Sequence, residues 1–201
     1  MKQNTDLRVQ KTLKNLHEGF LSQIQEKPFS DIVVMDICKS ALANRSTFYK
    51  YYADKYELRQ QIVDDVLTEF YNELTLDFFA EERSQIDVIK ARLDKSLQYI
   101  YSQKELYLLL WSPNLEVDVF GLMTETAKRK SINYFLEAEN GARPDERFYG
   151  ALELFGRIFA SNTMATIKWW LQYAPQTERS LIVDIIMKSA RRDTYNITYL
   201  L

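Results

Sequence analysis

The sequence predicts an all-α protein of about nine helices, in which a three-helix N-terminal head is joined by one long helix to a C-terminal helical body. Three observations predict this architecture. Only five of the 201 residues are Gly and four are Pro, so few positions interrupt helices. Apolar residues recur at spacings of three and four along most of the chain, and no segment shows the alternation of a half-buried strand. The predicted domains are residues 1–53 and 54–201.

Composition and charge narrow the class of protein. The chain is 46% hydrophobic and 27% charged, which is ordinary for a globular protein. No apolar run approaches the ~20 residues of a membrane span, and the first residues do not form a signal peptide. Cys38 is the single cysteine and cannot form an intramolecular disulfide, which favours a reducing compartment. We therefore expect a cytoplasmic protein with no membrane partner.

Charge is distributed unevenly along the chain. Residues 1–55 contain nine Lys or Arg and six Asp or Glu, a net charge of +3, whereas the whole chain carries −2 and the remainder therefore −5. A basic end on an acidic body directs a polyanion to that end. The asymmetry is small, and it supports nucleic-acid binding only together with a motif.

The first helix is predicted over residues 7–26 from apolar residues at helical spacing, and Pro28 ends it. Two short helices follow, the first over residues 34–41 and the second from Arg45, with Asn44 as its N-cap. On the second helix Phe48 and Tyr52, spaced i and i+4, form the buried stripe. Its outer arc carries groups that reach base edges and phosphates in a major groove, namely Arg45, Thr47, Tyr49, Lys50 and Tyr51. The pair is a predicted helix-turn-helix.

Residues 8–62 resemble the DNA-binding domain of the TetR family of bacterial transcription regulators. The residues that carry the resemblance are Lys27-Pro28-Phe29, Ile32, Asp36-Ile37, Ala41, the run Asn44-Arg45-Ser46-Thr47-Phe48-Tyr49, Tyr52, Asp54-Lys55 and Leu58. Two positions depart from the family pattern. Leu42 stands where the family usually has Gly, and Val33 where it usually has a Ser or Thr cap. Because Gly there supplies a left-handed backbone, Leu42 predicts strain of ~1 kcal/mol or a different turn.

The resemblance implies a homodimer that binds a palindromic operator in double-stranded DNA. It assigns DNA contacts to Asn44, Arg45, Ser46, Thr47, Tyr49, Lys50 and Tyr51, and a phosphate contact to Lys55, which lies at the start of the long helix. Arg45 is the best candidate to read a guanine. The resemblance also implies a small-molecule effector, of unknown type, bound in the body.

The body is predicted to begin with a helix over residues 54–80, capped by Asp54 with help from Glu57, and to end with two helices separated by Pro175. The penultimate helix has two apolar faces, one for its own core and one for an outside partner. Residues predicted at a dimer interface are Phe159, Ile167, Trp170, Leu181 and Ile185. Residues predicted to line an effector pocket are Tyr99, Tyr107, Trp111, Phe120, Met123, Phe135, Phe155, Asn162 and Trp169.

Two other functions were weighed against the repressor that these features predict. An enzyme is disfavoured, because the sequence shows no Gly-rich phosphate loop, metal-ligand cluster or nucleophile elbow, and His17 is its only histidine. No catalytic residue, metal or cofactor is therefore predicted. The alternative that stays open is a co-activator or adaptor that depends on a partner protein and has weak or no operator binding alone. The altered turn at Leu42 and the Trp169-Trp170-Leu171 segment, which resembles partner-dependent relatives, favour it.

Overall fold

The computed structural model describes residues 7–75, 86–138 and 146–198, and it is all-helical throughout these ranges. The predicted fold class is confirmed. The described residues form nine α-helices, whose bounds are α1 Leu7–Glu26, α2 Val34–Ser40, α3 Arg45–Tyr51, α4 Lys55–Glu73, α5 Ile86–Ser102, α6 Lys104–Leu110, α7 Val119–Ala138, α8 Glu146–Tyr173 and α9 Arg179–Thr198. Short 3-10 turns occupy Phe29–Asp31 and Pro113–Leu115. None of the described helices is long and apolar enough to cross a membrane.

The long helix α4 ends earlier than its apolar stripe suggests. It stops at Glu73, so its 19 residues span about 28 Å at ~1.5 Å per residue. Ser96 of α5 holds this end: its hydroxyl donates to the Glu73 carbonyl at 2.6 Å and accepts the Thr75 N–H at 3.2 Å. The predicted extension to residue 80 lies largely outside the described residues.

The chain divides into two compact units, and the division differs from the predicted boundary at residue 53. The first unit comprises residues 1–66 and 109–119, and the second comprises residues 67–108 and 120–201. The first half of α4 belongs to the first unit because its apolar residues, among them Leu58 and Ile62, complete the core beneath α1. Cys38 is 2% exposed in the same core, as its position in the pattern predicts.

The second unit is held by apolar packing of α5, α8 and α9 and by charged pairs at their edges. The Arg179 guanidinium makes a two-pronged contact with Asp94, at 2.5 and 2.9 Å. Lys90 pairs with Asp184 at 2.6 Å. Both pairs are partly exposed, so they orient α9 on α5 more than they stabilise the unit.

Candidate nucleic-acid interface

The helix-turn-helix forms as the sequence predicts, with α2 and α3 joined by residues 41–44. The end of α2 is a Schellman motif: the Leu42 N–H donates to the Lys39 carbonyl at 3.2 Å, and the Ala43 N–H donates to the Cys38 carbonyl at 2.9 Å. Leu42 occupies the position of this motif that requires a left-handed backbone, with φ 52°. Of the two predicted outcomes, a strained Leu42 or a different turn, the structure therefore has the strained Leu42, at a cost of ~1 kcal/mol relative to Gly.

Gly19, which the sequence analysis did not single out, sets the distance between α1 and α2. A Cβ built on Gly19 would lie 2.8 Å from the Ala41 nitrogen and 2.9 Å from the Ile37 carbonyl oxygen. Both are backbone atoms, so nothing flexible can move aside. A Gly in the middle of an otherwise regular helix was the available signal. It fixes where the helix-turn-helix sits on α1.

The start of α2 has one of the two reciprocal hydrogen bonds of a capping box. Val33 occupies the N-cap position but has no side-chain acceptor, and the Asp36 carboxylate accepts the Val33 N–H at 3.1 Å. The same carboxylate pairs with Lys27 at 2.7 Å. Hydrogen bonds from Lys27 and then from Val33 lower the pKa of Asp36. The acceptor that a Ser or Thr would offer to the first turn of α2 is therefore absent, and Asp36 ties this end of the helix to Lys27.

Helix α3 separates its buried and exposed faces as predicted. Phe48 is 0% exposed and Tyr52 6%, and the Tyr52 hydroxyl shares a 2.8 Å hydrogen bond with Nε2 of His17 on α1. The predicted DNA-facing side chains Asn44, Arg45, Ser46, Tyr49 and Lys50 are exposed, whereas Thr47 and Tyr51 are half-buried. Asn44 has the N-cap backbone conformation, but its side chain makes no capping hydrogen bond.

Arg45 and Tyr49 form a pair on the outer face of α3. The guanidinium lies 5.8 Å from the centre of the Tyr49 ring, and Nη2 donates to the Tyr49 hydroxyl at 3.4 Å. This hydrogen bond raises the pKa of Arg45, which therefore stays fully charged. The two side chains form one wall of an open cleft of about 450 Å³, whose other residues are Ser30, Ile32, Val33, Val34, Met35, Asp54 and Lys55.

The Lys55 ammonium is hydrogen-bonded to backbone carbonyls of its own chain. Its ammonium donates to the carbonyl oxygens of Phe29, Ser30 and Ile32 at 2.8, 3.1 and 2.7 Å. A lysine has three donors, and all three are satisfied here. Two N–H groups in the first turn of α4 are likewise satisfied, because the Asp54 carboxylate accepts both. The geometry therefore gives Lys55 a structural role, and its phosphate contact stays a prediction.

The chain between α6 and α7 also belongs to this unit, which the sequence did not indicate. Asn114 donates from Nδ2 to the Ile24 carbonyl at 3.0 Å, and Glu116 accepts the Ser30 N–H at 3.2 Å. Arg59 donates to the Leu115 carbonyl at 3.1 Å while its guanidinium lies 3.8 Å from the centre of the Phe29 ring. These bonds fix the turn that precedes α2.

The predicted pocket residues differ in their burial. Trp111 belongs to the first unit and the others to the second. Tyr107, Met123 and Phe155 are buried, whereas Asn162 and Trp169 are exposed; Tyr99 and Phe120 are intermediate, and the side chain of Phe135 lies outside the described residues. The Tyr99 hydroxyl bonds the Glu69 carboxylate and the Tyr107 hydroxyl, and burial is the main cause that raises the pKa of both tyrosines.

The predicted interface residues separate into two groups. Phe159, Ile167 and Trp170 are 1–2% exposed within a single chain, so they are core residues of the second unit and offer no surface to a partner. The prediction chose the wrong one of the two apolar stripes of α8. The exposed stripe of α8 carries Leu154, Ile158, Ala165 and Trp169. Leu181 and Ile185 on α9 are 52% and 37% exposed, so they remain candidates.

Comparison with known proteins finds one curated relative and several solved structures that are similar to this chain. No protein-family model matches the chain. The Bacillus subtilis (strain 168) protein named "Uncharacterized HTH-type transcriptional regulator YxbF" is 33% identical over 87 residues, which are 43% of this chain and 23% of that relative. The chain thus spans less than a quarter of the length of the curated relative that it matches.

Three solved structures share the fold over nearly the whole chain. A TetR transcriptional regulator from Streptococcus agalactiae 2603V has a TM-score of 0.60 at 20% identity and covers 92% of this chain and 96% of its own. The dihydroxyacetone kinase operon activator DhaS gives 0.55 at 16% (94% and 97%). Thermus thermophilus FadR, a TetR-family repressor in complex with lauroyl-CoA, gives 0.51 at 18% (90% and 93%). The predicted resemblance is confirmed, and the chain has the fold of the TetR-family transcription regulators.

Proposed function

We propose that this protein is a sequence-specific DNA-binding transcription regulator that places α3 in the major groove. The observation that carries the proposal is the division of α3 into a buried stripe, Phe48 and Tyr52, and an outer face of polar and cationic side chains. An exposed face with this chemistry matches the donors and acceptors of base edges and phosphates.

Arg45 is the residue that we assign to base recognition. It lies in the first turn of α3, and the N-terminal residues of a recognition helix are those that reach base edges. Its contact with Tyr49 places the guanidinium on the outer face of α3. A two-pronged contact with a guanine is worth ~1–3 kcal/mol of discrimination against other bases. Asn44, Ser46, Thr47, Lys50 and Tyr51 supply the neighbouring base and phosphate contacts.

The regulator acts as a homodimer in this proposal. One head makes few base contacts, and two heads on a two-fold axis read a palindrome with half-sites about 34 Å apart or somewhat more. The exposed apolar stripe of α8, with Leu154, Ile158 and Trp169, and the exposed Leu181 and Ile185 of α9 are the surface that we assign to the partner subunit. Isologous contact of two such helix pairs forms a four-helix bundle.

Regulation is proposed to be repression that a small-molecule effector relieves. Occupancy of an operator is sufficient for repression and requires no further protein contact. One structural neighbour is named an operon activator and another a repressor, so this fold is found with either direction of control. The second candidate is therefore a co-activator that binds DNA only with a partner protein, and the operon activator among the structural neighbours favours it.

The experiment that separates these candidates is selection of duplexes from a random DNA library by the purified protein near physiological salt. Enrichment of one palindrome supports the autonomous dimeric regulator. Arg45→Ala should then bind the selected duplex at least tenfold more weakly and lose preference at one position of each half-site. Lys95→Ala is the matched control, because it removes one exposed cation from α5 and leaves the head unchanged. No enrichment by folded, dimeric protein would refute autonomous operator binding.

A further inference from the structure

Leu42 combines two properties that the fold of one protomer does not require. Its side chain is 94% exposed, and its backbone has φ 52°, where Gly is favoured. A single exposed leucine is ordinary on a protein surface. A leucine that is exposed and also strains its own backbone is different, because Gly at this position would relieve the strain and lose no internal contact. Outliers of this kind point to an external function.

The position of Leu42 in the turn before α3 favours DNA as the molecule that its side chain contacts. It lies in the turn, three residues before Arg45, at the end of α3 that enters the groove. The exposed side chains on either side of it along the chain are Lys39, Ser40 and Asn44, which are polar or cationic. An apolar protein partner would need a contiguous apolar patch, but the exposed Val33 and Met35 lie at the other end of α2, so the neighbours of Leu42 are groups suited to a polyanion.

We infer that Leu42 reads a thymine in the operator by contact with the thymine C5-methyl group. This inference rests on the proposed function and adds a specificity residue to it. The methyl group is the one apolar feature that a base pair presents in the major groove, so it is the feature that an isolated aliphatic side chain can recognise. The strained turn is what directs the side chain outward toward it.

The test uses operator duplexes in which uracil replaces thymine one position at a time, because uracil lacks only the C5-methyl group. The duplex is the one selected by the wild-type protein, and affinities are measured for the wild type, Leu42→Gly and Leu42→Ala. We expect one thymine in each half-site whose replacement weakens wild-type binding about fourfold, the factor that corresponds to one buried methyl group. Leu42→Gly should be insensitive at that position, and Leu42→Ala should be intermediate.

Two controls separate this inference from loss of folding. Leu42→Gly should be thermally more stable than the wild type, so weaker binding by this variant cannot come from unfolding. Val88→Ala removes another exposed apolar side chain, on α5 in the second unit, and should keep the wild-type uracil profile.

An identical uracil profile for the wild type and Leu42→Gly would overturn the role of Leu42 while leaving operator binding intact. If the wild-type protein selects no duplex, the proposed function fails as well, so the two failures are distinguishable.

Discussion

Gly19→Ala is the substitution whose effect the structure determines most closely. The added methyl carbon would lie 2.8–2.9 Å from three atoms of α2 and the turn, and two of these are backbone atoms. Forcing a methyl group into such a site costs ~1–3 kcal/mol, and rigid backbone neighbours favour the upper end. The better helix propensity of Ala returns ~1 kcal/mol. We therefore expect a net destabilisation of ~1–2 kcal/mol and a displaced helix-turn-helix.

Thermal unfolding measures this balance. For a chain of this length ~1 kcal/mol corresponds to ~2–4 °C, so Gly19→Ala should lower the Tm by ~2–8 °C. Gly150→Ala is the matched control, because a Cβ on Gly150, near the start of α8, meets no atom of the chain within 4 Å. Its helix propensity gain should appear without a clash, and its Tm should equal or exceed that of the wild type. A Gly19→Ala variant as stable as the wild type would show that α1 and α2 are not in this contact.

Three further predictions concern Lys55, the half-buried His17 and the exposed apolar stripe of α8. Lys55→Met should lower the free energy of unfolding by about 1–2 kcal/mol because three carbonyls lose their donor, whereas Lys50→Met should leave denaturant unfolding unchanged and only weaken DNA binding. Burial lowers the pKa of His17 below 6.5, so the unfolded chain binds more protons in the window below that value. Stability should therefore fall as the pH drops from 7 through 6.5, and His17→Gln should show a flatter Tm profile over the same range. Ile158→Glu should yield monomers in sedimentation measurements, whereas Glu153→Gln, also exposed on α8, should remain dimeric; dimers from both variants would move the interface elsewhere.

The sequence predicts those structural features that depend on residues close to one another along the chain. The bounds of α1, the buried Phe48 and Tyr52, and the cap at Asp54 all follow from spacing within one or two turns. The left-handed turn at Leu42 was predictable because the residue type and position conflict with a known backbone requirement.

Features set by distant segments were not predictable. Lys55 is occupied by carbonyls of a turn more than twenty residues earlier, and α4 ends where a serine of α5 meets it. The Gly19 contact depends on how closely a second helix approaches. On α8, both stripes are apolar, and the packing of other helices, α7 and α9 among them, determines which one is buried. Apolar periodicity shows that a helix has such faces, but it does not show which of them is buried.

The central claim is that the outer face of α3 reads a DNA sequence, and the ratio of two affinities tests it most directly. Binding of the dimer to its selected palindrome is compared with binding to a shuffled duplex of the same length and composition, at one physiological salt concentration. We expect a ratio of at least ~10³, the lower end for specific regulators. A ratio near one, with affinity that depends on salt alone, would contradict it and leave a head that binds DNA only as a polyanion.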